Sequence, residues 1–184
     1  FTFAFSAEAE AKSGFEPNAW VKIGYDGTVT ILSTGAEMGQ GSMTSLPLIL
    51  AEEMDADWSK VKMEFAPADP DLYGYTFNKS RAMAIVGSRA VMLYYNQLRM
   101  AGAQVRKVLL ANAARHWNTD VSTLKTDNGF VIHESGKKLS YGEIADFGKV
   151  PSPLPSVDKG ELKDKSKFRY IGKSMPRRDT PLKV

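Results

Sequence analysis

Val91, Tyr95, Leu98, Gly102, Val105 and Leu109 recur at steps of four, three, four, three and four. Steps that alternate between three and four keep one face of an α-helix apolar. The spacing predicts a helix that begins just after Ile85-Val86-Gly87-Ser88-Arg89-Ala90 and runs to about Ala114. At 1.5 Å per residue it would be on the order of 35 Å long. An apolar stripe of that length needs a surface to pack on. Gly102 lies inside it, where a missing side chain lets a neighbouring element come close.

The elements around it are mixed. Residues 19–23 and 28–33, joined by Tyr25-Asp26-Gly27, read as a β-hairpin, because Asp-Gly is a pair that tight turns favour. A second helix is expected over about 44–54, from Leu46, Ile49, Leu50 and Met54, with Pro47 tolerated in its first turn. Val61, Met63 and Phe65 alternate as in a half-buried strand, and residues 67–83 read as a long loop rich in Asp, Pro and Gly. Residues 123–140 read as strand, turn, strand, turn, with Asn128-Gly129 at the tight turn. Ser140 and Glu143 form a capping-box pattern that opens a short helix, YGEIADF. The fold class is α+β. Residues 1–17 form an N-terminal arm or residual export leader, 18–148 the body, and 149–184 a Pro-rich and basic extended linker and tail.

Composition narrows the chemistry. Of 184 residues 43% are hydrophobic, enough for one ordinary domain or a small domain plus an extension. From Lys159 to Val184 nine Lys/Arg face three Asp/Glu, whereas the first 158 residues carry 15 basic and 18 acidic groups. Basicity therefore belongs to the tail, read as a solvated extension or one laid along a partner. No zinc-finger spacing or other nucleic-acid motif accompanies it, so no nucleic-acid partner is expected. The chain has no cysteine, which excludes disulfides, thiolate metal ligation, a cysteine nucleophile and any iron–sulfur cluster held by this chain. His116 and His133 are far apart in sequence, and no histidine metal site is expected. The opening FTFAFSAEAEA reads either as the apolar end of an export leader or as a disordered arm.

Two glycine-bearing bends are the candidate sites. Met38-Gly39-Gln40-Gly41, within TGAEMGQGSMT, keeps the backbone bare on both sides of an amide that can donate and accept. Exposed N–H groups in such a turn can cradle an anion where a helix follows. The other reading is a plain strand-to-helix turn. Gly87-Ser88-Arg89 stands at the start of the long helix, where Ser88 is expected to cap it and Arg89 to face an anion; a cap beside a surface charge is the plainer alternative. Together the bends suggest a grip on one large anionic cofactor. The spacing matches neither GxGxxG nor the Walker A loop, so neither a dinucleotide nor an ATP site follows. Glu52-Glu53, Asp69, Asp71, Tyr73, Tyr75 and Arg177-Arg178 are weaker candidates for acid/base work, for shaping the entrance or for holding a phosphate. No nucleophile–base pair or carboxylate dyad emerges.

In order along the chain, NAWVKIGYDGTVTI, GAEMGQG, AEEMDADW, VGSRAV, LRMAGAQVR, AARHW, LSYGEIA and FRYIGKSMPRRD resemble the N-terminal portion of the molybdenum-binding large subunit of the xanthine oxidase family. The branch is the isoquinoline 1-oxidoreductase-like, periplasmic aldehyde-oxidising one. The resemblance implies that residues 18–148 are the first part of a molybdopterin-binding domain. It implies a molybdenum–molybdopterin cytosine dinucleotide that hydroxylates an aldehyde or N-heterocycle with oxygen from water. Gly39, Gln40 and Gly41 match the family's cofactor loop, and Gly87 and Ser88 its glycine-serine loop; Met38 and Arg89 flank them. Relatives tend to carry Thr-Gly at Ile85-Val86 and a second serine at Ala90. The resemblance further implies a small iron–sulfur subunit with [2Fe–2S] clusters, a cytochrome c subunit with c-type haem, the remainder of the large subunit, and a periplasmic location. The glutamate base is expected beyond Val184, leaving no catalytic residue in this chain and making it one fragment of the catalytic subunit. A scaffold or assembly module that keeps the fold and binds no cofactor is the alternative.

Overall fold

The computed structural model describes residues 14–180. The domain is α+β. A four-stranded sheet has the order β1 (Phe15–Asn18), β2 (Val21–Ile23), β3 (Val29–Ser33), β4 (Val61–Phe65). The first three strands are antiparallel neighbours, and β4 lies parallel to β3. A parallel pair needs a crossover, and α1 (Ser42–Glu53) provides it. The Asp26-Gly27 turn forms as its composition predicts: Gly27 has φ 81° and the Asp26 carboxylate accepts from Thr28 N–H at 2.8 Å. Strand β1 starts at Phe15, inside the stretch expected to be an arm; residues 1–13 lie outside the described residues.

The long helix is α3 (Ala90–Trp117), and it ends on Asn118 in the left-handed conformation. It packs across α1 at Gly102, where an added Cβ would stand 2.5 Å from the Leu50 carbonyl oxygen and 2.8 Å from Glu53 Cβ. Leu46, Leu50 and Met54 of the α1 segment meet Leu98, Val105 and Leu109 in the same buried cluster as Ile23 and Ile31 of the sheet. The stripe read from the sequence is thus the inward face, although its first member, Val91, is 43% exposed because it stands at the helix mouth.

The helix over residues 44–54 starts two residues earlier than its apolar spacing suggests. Pro47 therefore sits in its interior and not in its first turn. The upstream start is held by the Glu37 carboxylate, which accepts from Met43 N–H at 2.9 Å. Residues 67–83 are more structured than expected of a loop. They hold α2 (Pro70–Tyr73), capped by the Asp69 carboxylate on Leu72 N–H, and a hairpin of β5 (Tyr75–Phe77) and β6 (Ser80–Ala82). Tyr73 and Tyr75 face the core and not an entrance: Tyr73 packs edge-on against Trp20 and Tyr75 against Tyr94.

A second sheet, β7 (Leu124–Asp127), β8 (Phe130–His133) and β9 (Lys138–Ser140), is an antiparallel meander. Asn128 and Gly129 both take positive φ at its first turn, as a two-residue hairpin demands. Ser140 and Glu143 form the capping box of α4 (Tyr141–Phe147).

The basic tail leaves most of its described residues exposed. It is extended, but it is stitched back onto α1. Glu52 and Glu53 are fully buried, and Glu52 accepts from the backbone N–H groups of Arg169, Tyr170 and Ile171. Glu53 pairs with Arg99 and accepts from Lys163 N–H at 3.0 Å. The Glu52 carboxyl loses solvation on burial, which would raise its pKa. The three N–H groups outweigh that and hold it below the ordinary carboxylate value. These two acids are structural anchors and not an acid/base pair.

Candidate functional site

The two bends expected to act together do meet. Met38, Gln40 and Ser42 line one wall of a cleft of about 320 Å³, and Val86, Ser88 and Arg89 line the other. One wall is the turn from β3 into α1 and the other is the turn from β6 into α3. Gly39 (φ 107°), Gly41 (φ 85°) and Gly87 (φ 58°) take positive φ, and a Cβ at Gly39 or Gly41 would meet nothing within 4 Å. Those two glycines are required by conformation, and their open side leaves the backbone accessible.

Inside the first bend the polar groups serve the bend itself. Gln40 Oε1 accepts from Met38 N–H at 2.6 Å, and Gln40 Nε2 donates to the Ala36 carbonyl at 2.7 Å and to Ser42 Oγ at 2.8 Å. Both amide protons of Gln40 are thereby used, and one acceptor position on Oε1 remains for a ligand. The N–H groups of Gly39 and Gly41, read from the sequence as free to cradle an anion, donate to Glu37 Oε1 at 2.7 and 3.0 Å.

The second bend differs. Ser88 does not cap α3, because it takes φ 53° in the left-handed region and the capping position falls to Arg89, which makes no side-chain cap. The first turn of α3 holds no acidic residue. Its N–H groups and partial positive charge therefore meet no carboxylate from the helix itself, beside the exposed Arg89 and Ser88. Val86, Met38 and Val91 are 61%, 72% and 43% exposed around the same opening.

Glu37 is a participant that sequence reasoning missed, and Arg177, weighed there as a phosphate partner, pairs with it instead. Arg177 reaches from the tail to donate from Nη1 to the Gly39 carbonyl at 2.9 Å and from Nη2 to Glu37 Oε1 at 3.1 Å, while Asp179 accepts from its Nε and from the same Nη2. A glutamate two residues before the first glycine was the available signal. The tail's path was not readable without the fold. Arg178 lies over the Trp58 ring with its carbon 4.5 Å from the centroid, so the Arg177-Arg178 pair is split between two structural tasks. His116 stacks on Phe147 and His133 bonds Ser135 and Thr119. Among the described residues no group of three or more His, Cys, Asp or Glu is arranged to hold a metal ion.

The arrangement suits a large group with a polar edge. One wall offers an accessible backbone and a carbonyl acceptor; the other offers an uncapped helix start, a hydroxyl and a guanidinium. A metal brought by its own organic ligand would need no side-chain ligand from either wall.

A family model described as the molybdopterin cofactor-binding domain matches residues 1–181. The isoquinoline 1-oxidoreductase subunit beta of Brevundimonas diminuta is 36% identical over an alignment of 199 positions that covers 91% of this chain and 25% of that protein. The membrane-bound aldehyde dehydrogenase (pyrroloquinoline-quinone) of Gluconacetobacter polyoxogenes is 32% identical over 174 residues, covering 92% of this chain and 21% of that protein. The crystal structure of quinoline 2-oxidoreductase from Pseudomonas putida 86 superposes with a TM-score of 0.48 at 19% identity, over 68% of this chain and 15% of that one. The chain spans about a quarter, or less, of the length of these relatives.

Proposed function

The chain belongs to the molybdopterin cofactor-binding domain family, and from that premise we propose that it forms part of the cofactor grip of a molybdenum hydroxylase. The observation that carries the reading is the shared cleft: Gln40 and Ser88, 48 positions apart in sequence, line one opening. The group proposed there is molybdopterin cytosine dinucleotide. When bound it would supply hydroxylation of an electron-poor carbon, in an aldehyde or an N-heterocycle, with oxygen from water.

This chain's own residues have simpler tasks. Gly39 and Gly41 let the group approach the backbone, because an added Cβ at either would stand in open space and nothing in the fold covers that side. Gln40 holds the bend and offers its remaining acceptor position. Arg89, with the α3 start and the Ser88 hydroxyl, favours negative charge on the opposite wall. The apolar rim of Met38, Val86 and Val91 keeps water from the opening once it is covered. The covering surface is proposed to be the remainder of the large subunit, which would also bring the glutamate base. Electrons would leave through [2Fe–2S] clusters on a small partner subunit and onward to c-type haem, in a periplasmic complex. The name of one relative, an oxidoreductase subunit beta, supports a complex of more than one subunit.

The test is molybdenum and cytosine-nucleotide analysis of the complete protein. The proposal requires about one molybdenum per large subunit, and a marked fall in the Gly41→Val variant, whose side chain stands on the open side of the bend at a residue with φ 85°. A wild-type protein without molybdenum would favour the scaffold reading, to which the apolar Ile85-Val86 turn is equally suited.

A further inference from the structure

Glu37 is bound more completely than a surface carboxylate has reason to be. Its Oε1 accepts from Gly39 N–H, Gly41 N–H and the Arg177 guanidinium, and its Oε2 accepts from Met43 N–H in the first turn of α1. Its side chain is only 5% exposed. Successive N–H groups in a turn that opens a helix are the geometry that receives phosphate and other anions. Here the anion is already present, supplied by the chain two residues upstream.

We propose that Glu37 and Arg177 are a positioning pair that closes this anion seat from within, so that the bend at 38–41 receives an uncharged, hydrogen-bond-donating edge of its ligand and turns anionic groups away. The proposal rests on the cleft being a ligand site, and it adds what each wall accepts. Four observations converge on it. The three N–H donors of the seat are spent on Glu37. The Gly39 carbonyl is taken by Arg177. An acceptor is left open on the bend, on Gln40 Oε1. The opposite wall has no such plug, since the first turn of α3 carries neither an acidic residue nor a side-chain cap.

Desolvation pushes the Glu37 carboxyl upward, but the N–H groups of Gly41, Met43 and Gly39 outweigh it and keep the group below its ordinary value. The seat is therefore filled by a charge at neutral pH. Arg177 is itself held by Asp179, which is 2% exposed, so the clamp is anchored in the folded tail. The path of the tail over α1 thus has a consequence at the cleft: it delivers the guanidinium that fixes the carboxylate.

The experiment is amide hydrogen exchange of residues 39, 41 and 43 in the complete protein, with and without inorganic phosphate. Wild type should show protected amides that phosphate leaves unchanged. Glu37→Ala should expose them, speeding exchange at least tenfold, and phosphate should then restore protection. Arg177→Ala should speed the same three amides by a smaller factor, and Arg177→Lys should give a value between it and wild type. Phosphate protection already present in wild type would overturn the proposal. So would exchange unchanged in Glu37→Ala, or exposed amides there that ignore phosphate. Should Glu37→Ala not fold, Arg177→Ala decides alone, and exchange equal to wild type refutes the clamp. Molybdenum content of the same wild-type sample reads the cofactor proposal separately, because the amide result does not depend on it.

Discussion

Replacing Glu52 by alanine should free the tail from the body without unfolding the sheet. The carboxylate is fully buried and takes the N–H groups of Arg169 at 3.0 Å, Tyr170 at 2.6 Å and Ile171 at 3.1 Å, plus the Lys163 ammonium at 3.0 Å. Bonds to a charged group are worth about 1.5–3 kcal/mol each, but they share one carboxylate and do not add. Removing one partner of a buried pair costs about 3–5 kcal/mol. Lys163 retains Asp55 at 2.6 Å, which places the expected loss toward the lower end. At about 1.4 kcal/mol per tenfold, the opening of residues 163–171 should become between a hundredfold and a few thousandfold more frequent, roughly. Amide hydrogen exchange of that segment reads this directly. Rates within about threefold of wild type would refute the reasoning, because no other group on α1 is placed to hold those three N–H groups.

Three further outcomes follow from the same structure. In wild type the tail's protection should be steady at neutral pH: the Glu52 pKa is depressed in the fold, so its contribution is full above the ordinary value of 4.5 and is lost as pH falls through the lower folded one. Exchange of residues 169–171 measured down to acid pH checks it, and a loss of protection already near neutrality would contradict it. Gly102→Val should destabilise by about 1–3 kcal/mol, read in a denaturant midpoint, because its side chain meets the Leu50 carbonyl across the helix crossing. Ser140→Ala should cost about 1 kcal/mol and appear as faster exchange over residues 141–147, since the α4 capping box loses one half.

Local rules carried far along this chain. The Asp26-Gly27 and Asn128-Gly129 turns, the Ser140 capping box and the stripe of the long helix depend on residues within a few positions of one another, and each formed as its composition predicts. Most readings that failed depended on distant partners. Glu52 and Glu53 read as weak acid/base candidates until the tail, more than a hundred positions away, returns to them. Ser88 looks like a cap because its type and place are right, yet its positive φ passes that position to Arg89. Tyr73 and Tyr75 look like loop aromatics until Trp20 and Tyr94 bury them. At the cleft, glycine placement marked both walls, but the sequence did not disclose that Glu37 spends the donors of one of them. That fact needed the left-handed turns at Gly39 and Gly41, which aim both N–H groups at one carboxylate.

The central claim is that one organic cofactor lies between the two bends. A structure of the complete protein, determined with its native cofactor, tests it directly. The account predicts a pterin within hydrogen-bonding distance, about 3 Å, of residues 38–41 on one side and residues 87–89 on the other. A pterin bound elsewhere, with both bends facing only protein or water, would contradict it.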